Sequence, residues 1–210
     1  MRVARELRDG MVVNLGFGLP TLVANFLPPE VTVLFQSENG ILGYGAIIQE
    51  DARFDQDRIN AGGQPVEIVP GAAFFDSAQS FAMIRGGHID VAVLGGLQVS
   101  EKGDLANWLV PARGGGSIGG AMDLAVGARC LVVAMEHVTR EGEPRVLEEC
   151  TYPLTAVAAV KLIVTDLAVI EVTPEGLVLK EVAPGLTAAE VQAWTGARLR
   201  WTDPVPEMRL

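Results

Sequence analysis

One carboxylate in the 210-residue sequence, that of Glu38, occupies a position suited to chemistry. It follows the apolar, β-branched run Val31–Phe35, which predicts a buried strand, and it precedes Asn39-Gly40, a strong turn signal. In α/β proteins the carboxyl ends of the strands form the edge at which ligands usually bind. A glutamate in such a turn is more often a solvated surface acid, so the rest of the sequence has to decide between the two interpretations.

A lone carboxylate can act as a nucleophile toward an activated acyl group. That reaction needs backbone N–H donors for the developing oxyanion and a site from which water is excluded. The glycines of the segment 16–18, which follows the first predicted strand, could supply such donors. Gly16 and Gly18 also match part of the dinucleotide fingerprint, but the third glycine position holds Thr21, so we exclude an NAD site here.

The glycine-rich loop 114–120 contains a formal G-x-S-x-G pattern at Gly115, Ser117 and Gly119. In hydrolases a strand leads directly into this pattern, whereas here Pro111 and its neighbours precede it, so a serine hydrolase is disfavoured. The alternative is a flexible main-chain cradle for an anion at the start of the following helix. The two histidines, His88 and His137, show no metal-ligand spacing, and we expect no metal site.

Composition narrows the function further. The net charge of −10 disfavours nucleic acid and anionic membranes as partners, although one pocket could still be positive. Cys130 and Cys150 are far apart in the sequence, which indicates reduced thiols and a cytoplasmic protein. The sequence shows no signal-peptide pattern at Met1–Glu6 and no apolar run long enough to span a bilayer.

Strands and helices alternate along the chain, which predicts one α/β domain over residues 1–210, with a mixed, mostly parallel β-sheet flanked by helices. A capping box at Thr187–Glu190 marks the last helix, which we expect to reach about Leu199. Further strands are predicted at 11–15, 66–69, 89–97, 130–135, 162–165, 167–172 and 177–182, the last two joined as a hairpin by the turn 173–176. Helices are predicted at 20–26 and 121–127, and a third runs from a cap at Asp76 or Ser77 to a stop at Gly86-Gly87. Loops are predicted at 49–58 and 98–120.

A specific resemblance extends along nearly the whole chain. The sequence resembles the B (beta) subunits of class I 3-oxoacid CoA-transferases, the succinyl-CoA:3-ketoacid and acetate/acetoacetate type. The motifs that carry the resemblance are Asn14–Pro20, Gln36–Gly40, Asn60–Gly62, Pro70–Ala72, Ser80–His88, Gly103–Trp108 and Gly119–Leu124. The resemblance implies the CoA-transferase fold, which is NagB/RpiA-like.

The same resemblance implies roles for individual residues. Glu38 would be the nucleophile that forms an acyl-glutamyl anhydride and then a glutamyl-CoA thioester. Gly119 would donate its backbone N–H to the thioester oxygen. The residues expected around the substrate and coenzyme A are Gly16, Gly18, Asn39, Gly40 and Gly120.

The resemblance also implies partners and substrates. An A-type partner would complete the site in an A2B2 heterotetramer, and coenzyme A would be a substrate, with no permanently bound cofactor. CoA would pass from an acyl-CoA such as succinyl-CoA or acetyl-CoA to a 3-oxoacid such as acetoacetate. Another acyl pair such as 3-oxoadipate stays open, because the loop 112–118, Tyr152 and Ala156 depart from the family pattern. A ligand-sensing domain without catalysis is a further alternative.

Overall fold

The computed structural model describes residues 2–48 and 55–209. The helices are two 3₁₀ helices, Arg2–Glu6 and Leu19–Phe26, and three α-helices, α1 (Ser77–Arg85), α2 (Ala121–Gly127) and α3 (Ala188–Ala193). The strands are β1 (Val12–Leu15), β2 (Leu34–Ser37), β3 (Ile41–Ile47), β4 (Val66–Phe74), β5 (Val91–Leu94), β6 (Gln98–Ser100), β7 (Leu105–Ala106), β8 (Cys130–Ala134), β9 (Val146–Leu147), β10 (Val160–Val164), β11 (Ala168–Thr173), β12 (Gly176–Val182) and β13 (Leu199–Arg200).

A ten-stranded sheet organises these elements in the order β13-β12-β11-β10-β8-β5-β1-β2-β3-β4. Its centre, from β10 to β2, is parallel, and the hairpins β2–β3–β4 and β10–β11–β12 add antiparallel pairs on either side. The edge strand β13 pairs in parallel with β12. The parallel strands are apolar because helices cover both of their faces. The predicted mixed, mostly parallel sheet flanked by helices is therefore confirmed.

The core lies in two layers, one on each face of the sheet. Alternate residues point to opposite faces, so Ala92 and Leu94 join the layer under α1 and α2, while Val91 and Val93 join the layer under the 3₁₀ helices. The chain leaves β1 across one face and leaves β5 across the other. The junction between β1 and β5 is therefore a topological switch point, where α/β sheets open a crevice for ligands.

Several predicted elements are confirmed within one or two residues. The side chain of Asp76 accepts a hydrogen bond from the Gln79 N–H and caps α1, and the Thr187–Glu190 capping box is present at α3. α2 has the predicted bounds, and β11 and β12 form the predicted hairpin.

Other predictions need correction. The loop predicted at 98–120 contains β6 and β7, which form a small second sheet with β9. The last helix ends at Ala193 rather than near Leu199, because Thr195 and Gly196 follow and the chain re-enters the large sheet as β13. The strand before Glu38 is β2, which begins three residues later than predicted, and β3 is an additional strand that the sequence pattern does not predict.

Part of the predicted surface loop 49–58 lies outside the described residues, as do both ends of the predicted domain 1–210. No helix within the described ranges is long and apolar enough to cross a membrane.

Candidate active site

The site lies at the carboxyl edge of the parallel strands. Gly16 follows β1, Glu38 follows β2, and Gly95 and Gly96 follow β5. These residues help to line a cavity of about 480 Å³, which is in the range of small-molecule sites. The remaining lining residues are Phe17, Ala61, Leu94, Leu97, Asn107, Ser117, Ile118, Gly119, Gly120, Ala121 and Leu124. The lining brings Glu38 and the glycine loop together in one cavity.

The turn that presents Glu38 joins β2 to β3. The N–H of Gly40 donates to the Ser37 carbonyl over 3.0 Å and closes the turn. Gly40 has a φ of +116°, and a Cβ at this position would overlap the carbonyl oxygen of Phe75. Asn39 is exposed and donates through Nδ2 to the Ile59 carbonyl over 2.7 Å. Asn39 and Gly40 therefore shape the turn and do not line the cavity.

The glycine loop, which lies just before α2, also lines the cavity. Gly119 has a φ of +50°, and its N–H meets no hydrogen-bond acceptor among residues 2–48 and 55–209. A Cβ at Gly120 would lie 2.9 Å from the Phe81 ring and 3.8 Å from Cγ of Glu38. The absence of a side chain at Gly120 therefore lets this backbone approach the carboxylate closely.

Gly16 and Gly18 follow β1, and the sequence leads us to expect both of them around the substrate. Gly16 lines the cavity, but its N–H already donates to the Val93 carbonyl over 2.8 Å, so it cannot serve as an oxyanion donor. Gly18 lies outside the cavity lining, and its carbonyl accepts from the N–H and the hydroxyl of Thr21 at the start of the second 3₁₀ helix.

A chain of three polar residues leads to Glu38 from inside the protein. The sequence pattern assigns none of the three an individual role. The Nδ2 of Asn14 lies 3.2 Å from Oε2 of Glu38 and 2.7 Å from Oε1 of Gln36. The Nε2 of Gln36 donates in turn to the Ser80 hydroxyl over 2.6 Å. All three side chains are buried. The signal that could have found two of them is a polar residue inside each of two apolar strands.

Uncharged polar groups and apolar groups both surround Glu38. Phe35 stacks on Tyr44 with ring centroids 5.3 Å apart. Burial raises the pKa of the Tyr44 phenol well above its usual value, and the negative charge of Glu38 adds to that rise. Within the described residues, Glu38 is the one charged residue that lines the cavity.

Hydrolase and metal chemistry gain no support. Ser117 is exposed on an irregular loop, and His137 is fully buried with its ring nitrogens bonded to the hydroxyls of Thr165 and Thr195. A Ser–His pair is therefore not formed. Among residues 2–48 and 55–209, no group of three histidine, cysteine or acidic residues could hold a metal ion.

The model of one protein family, described as coenzyme A transferase, matches residues 1–193 of this sequence. The chain belongs to the coenzyme A transferase family. Like its relatives in this family, the chain is a CoA-transferase.

Curated relatives resemble this CoA-transferase over most of its length. It is 53% identical to the beta subunit of the acetate CoA-transferase of Escherichia coli (strain K12), covering 94% of this chain and 89% of the relative. It is 52% identical to the B subunit of the probable succinyl-CoA:3-ketoacid coenzyme A transferase of Bacillus subtilis, with coverages of 93% and 90%. It is also 52% identical to the B subunit of the 3-oxoadipate CoA-transferase of Pseudomonas putida, with coverages of 94% and 92%.

The fold is also found in solved structures. An acyl-CoA transferase from Escherichia coli O157:H7 superposes with a TM-score of 0.74 at 17% sequence identity. The match covers 99% of this chain and 42% of the other chain, so this CoA-transferase spans less than half of that protein.

Proposed function

We propose that this chain is the B-type subunit of an enzyme that moves coenzyme A between an acyl-CoA and a 3-oxoacid such as acetoacetate. The observation that carries the proposal is that Glu38 and Gly119 line one cavity, in a member of the coenzyme A transferase family. Coenzyme A is a substrate in this proposal, and the enzyme needs no resident cofactor.

The reaction begins with Glu38 as the nucleophile. Its carboxylate adds to the thioester carbonyl, the C–S bond breaks, and the CoA thiolate leaves an acyl-glutamyl anhydride. The thiolate then attacks the glutamyl carbonyl and displaces the product acid, which gives a glutamyl-CoA thioester. The acceptor carboxylate repeats both steps in reverse. Every bond that breaks is replaced by one of similar energy, so the thioester energy is conserved.

Gly119 is the proposed oxyanion donor for attack on the substrate. Gly119 lines the cavity, and its N–H has no acceptor among the described residues, so we propose that it is available to a substrate oxygen. A preformed donor of this kind stabilises the charge that develops in the transition state more than the ground state. In the proposed arrangement, Gly16 and Gly120 provide close backbone walls, while Gly18, Asn39 and Gly40 maintain the loops.

The lining of the cavity favours one class of acyl group. The cavity lining combines glycines and apolar side chains with the uncharged polar side chains of Asn107 and Ser117, and no cation from residues 2–48 or 55–209 lines it. A second carboxylate on the acyl group would therefore be desolvated without a cation from this subunit to offset its charge, which is unfavourable. We infer that acetyl and acetoacetyl groups fit this subunit better than succinyl or 3-oxoadipyl groups, which would require a cation from the A-type partner.

The curated relatives are named as beta or B subunits, which supports a separate A-type partner for this chain. We propose an A2B2 heterotetramer, in which residues 1–210 act as one domain. Cys130 and Cys150 are free, partly buried thiols, which agrees with the proposed cytoplasmic location.

The proposal is tested by CoA exchange in the complex of this chain with its A-type partner. Glu38→Gln removes the nucleophilic carboxylate, so we expect the exchange rate to fall by more than about 10³-fold. Glu30→Gln is the matched control, because Glu30 is exposed in a turn away from the cavity, and this variant should exchange at the native rate. An active Glu38→Gln complex would refute the proposed nucleophile.

The preferred acyl pair is tested with the same complex. Acetyl-CoA with acetoacetate should give a higher kcat/KM than succinyl-CoA with acetoacetate or succinyl-CoA with 3-oxoadipate. A preference for either dicarboxylate would refute the inference drawn from the cavity lining and would leave the transfer chemistry intact.

A further inference from the structure

A chain of buried polar side chains leads from helix α1 to the carboxylate of Glu38. It consists of Ser80 on α1, Gln36 on β2 and Asn14 on β1, and all three are fully buried. Hydrogen bonds of 2.6 Å and 2.7 Å join its links, and the Asn14 amide nitrogen ends the chain 3.2 Å from Oε2 of Glu38. The oxygen of Glu38 that meets the chain therefore differs in environment from the oxygen that does not.

The neighbouring hydrogen-bond acceptors determine whether the NH₂ group or the oxygen of the Asn14 side-chain amide faces Glu38. The terminal atom on that side lies near three acceptors, namely the carboxylate of Glu38, Oε1 of Gln36 and the main-chain carbonyl of Gln36 at 3.1 Å. An oxygen atom in this position would be repelled by all three, whereas an NH₂ group can donate its two hydrogens to them, with one hydrogen shared. The orientation of Gln36 is fixed in the same way, because its Oε1 accepts from Asn14 while its Nε2 donates to Ser80.

The other end of the Asn14 amide is left without a partner. Its Oδ1 is buried and accepts no hydrogen bond from any described residue. Buried polar atoms are nearly always paired, and an unpaired one destabilises the fold. An apolar residue would avoid this penalty, so the stability of the strand does not explain the asparagine. The N–H donor that Asn14 directs toward Glu38 explains why an asparagine occupies this position.

We propose that the side-chain amide of Asn14 is a further catalytic group, which stabilises negative charge on Oε2 of Glu38. When a thiolate or an acceptor carboxylate adds to the carbonyl carbon of acylated Glu38, that oxygen takes the electron pair of the C=O bond. It returns the pair as the leaving group departs. A donor already aimed at the oxygen lowers the energy of this intermediate. The Gly119 N–H would stabilise the other oxyanion, which forms on the carbonyl oxygen of the substrate. This inference rests on the proposed function.

Gln36 and Ser80 act through Asn14 and are positioning residues. Oε1 of Gln36 accepts one of the two amide hydrogens of Asn14, which leaves the other hydrogen to Oε2 of Glu38 and the Gln36 main-chain carbonyl, at 3.2 Å and 3.1 Å. Ser80 ties the arrangement to α1, whose N-terminus is fixed by its Asp76 cap. Preorganisation of this kind keeps the donor in place before the reaction begins.

The direct test is the decay of the covalent adduct in the complete complex. The complex is first loaded with CoA from acetoacetyl-CoA, then mixed with acetate, and the loss of adduct is followed by rapid quenching and mass spectrometry. In Asn14→Ala, we expect this rate to fall by about 10²- to 10³-fold, the usual effect of removing one oxyanion donor. The KM for acyl-CoA should change little.

A second variant separates donation from packing. Asn14→Asp keeps the shape of the side chain, but its ionised form has no N–H. At lower pH the introduced carboxyl group is protonated and can donate its O–H to the carbonyl oxygen of the thioester-linked Glu38. We expect the rate of this variant, relative to native, to be lowest near pH 8 and to recover by about tenfold or more near pH 5.5. A purely structural role would give no such pH profile.

Two further variants control for loss of stability. Gln192→Ala removes hydrogen bonds from a half-buried amide near β13, far from Glu38, and should leave the decay rate native even if the melting temperature falls. Ser80→Ala should slow adduct decay by less than about tenfold with an unchanged KM, because it weakens positioning alone.

The outcomes separate the two proposals. No adduct on Glu38 in the native complex would refute the proposed nucleophile and this inference with it. A normal adduct in native protein, with Asn14→Ala decaying within twofold of the native rate, would refute the role of Asn14 alone. If Asn14→Ala does not fold, Asn14→Asp decides the question, and native activity of that variant at pH 8 would refute the role.

Discussion

At the scale of single residues, the two oxygens of Glu38 have different surroundings. Oε2 meets the amide of Asn14, and the side chain borders the cavity formed with the glycine loop. A carboxylate held in this way is oriented without being neutralised by a cation, since no Lys or Arg of the described residues lines the cavity. This combination suits a nucleophile better than an ion-pair partner.

His137 makes the stability of the protein sensitive to acid. Burial lowers the pKa of its imidazole to about 4, from an ordinary value of 6.5, because the charged form would be desolvated. Between pH 6.5 and 4, the unfolded chain binds a proton that the folded chain does not. The free energy of unfolding should therefore fall with decreasing pH, by about 3 kcal/mol in total from this residue. Urea denaturation at stepped pH values measures it.

The His137 contribution can be isolated by substitution. His137→Gln should be less stable at pH 7.5 but should lose less stability than the native protein between pH 6.5 and 4. His88→Gln, at an exposed position, is the control and should keep the native dependence. Parallel curves for native protein and His137→Gln would contradict the assignment.

The sequence predicts the candidate nucleophile but not the residues behind it. Glu38 stands out because a strand-to-turn transition and a specific motif coincide there. Asn14 and Gln36 cannot be assigned from the sequence, because a polar residue within an apolar strand shows no partner until the register of β1 and β2 is known. That register sets Asn14 directly beside Gln36.

At the scale of elements, the turn between β2 and β3 depends on Gly40. A Cβ at Gly40 would overlap the Phe75 carbonyl, and the φ of +116° is unfavourable for any L side chain. We expect Gly40→Ala to lower the free energy of unfolding by about 3 kcal/mol or more and to impair transfer, because Glu38 moves with the turn. Denaturant unfolding and CoA exchange measure the two effects.

The control for this substitution is Gly10→Ala. Gly10 also has a positive φ, of +80°, but a Cβ there would contact nothing within 4 Å. The free energy of unfolding of Gly10→Ala should fall by about 1 kcal/mol, and CoA transfer should be unaffected. Equal losses in the two variants would show that close packing of the turn against Phe75 is unimportant.

Strong local signals explain which elements could be predicted. The central strands are continuous apolar runs, and the caps of α1 and α3 are short motifs, so the sequence identifies both. β6, β7 and β13 are two or three residues long and exist through long-range pairing, which no local pattern reveals. β3 escapes prediction because its glycines, Gly43 and Gly45, are turn signals, whereas here they permit close approach to β4.

At the scale of the whole molecule, one exposed apolar segment adjoins the cavity. It runs from Phe17, which is 79% exposed and lines the cavity, through Leu19 and Leu22 to Phe26. Contiguous apolar surface beside a ligand site is typical of protein interfaces. We expect the A-type partner to cover this segment, so that Phe17→Asp weakens the complex by at least about tenfold, as measured by analytical ultracentrifugation.

Trp194 provides the matched control for the interface. It is also a half-exposed aromatic residue, but it ends α3, which packs against β12 near the other margin of the sheet. Trp194→Asp should assemble normally. If Phe17→Asp assembled normally and Trp194→Asp did not, the result would contradict the proposed interface at Phe17.

Covalent attachment of CoA to Glu38 is central to the proposed function, and mass spectrometry tests it most directly. The complex with its A-type partner is incubated with acetoacetyl-CoA or succinyl-CoA without acceptor, quenched in acid and digested. We predict that the peptide containing Glu38 gains the mass of coenzyme A minus one water, and that the Glu38→Gln peptide does not. Transfer of CoA to an added acceptor without this adduct, or with an adduct on another residue, would contradict the proposed mechanism.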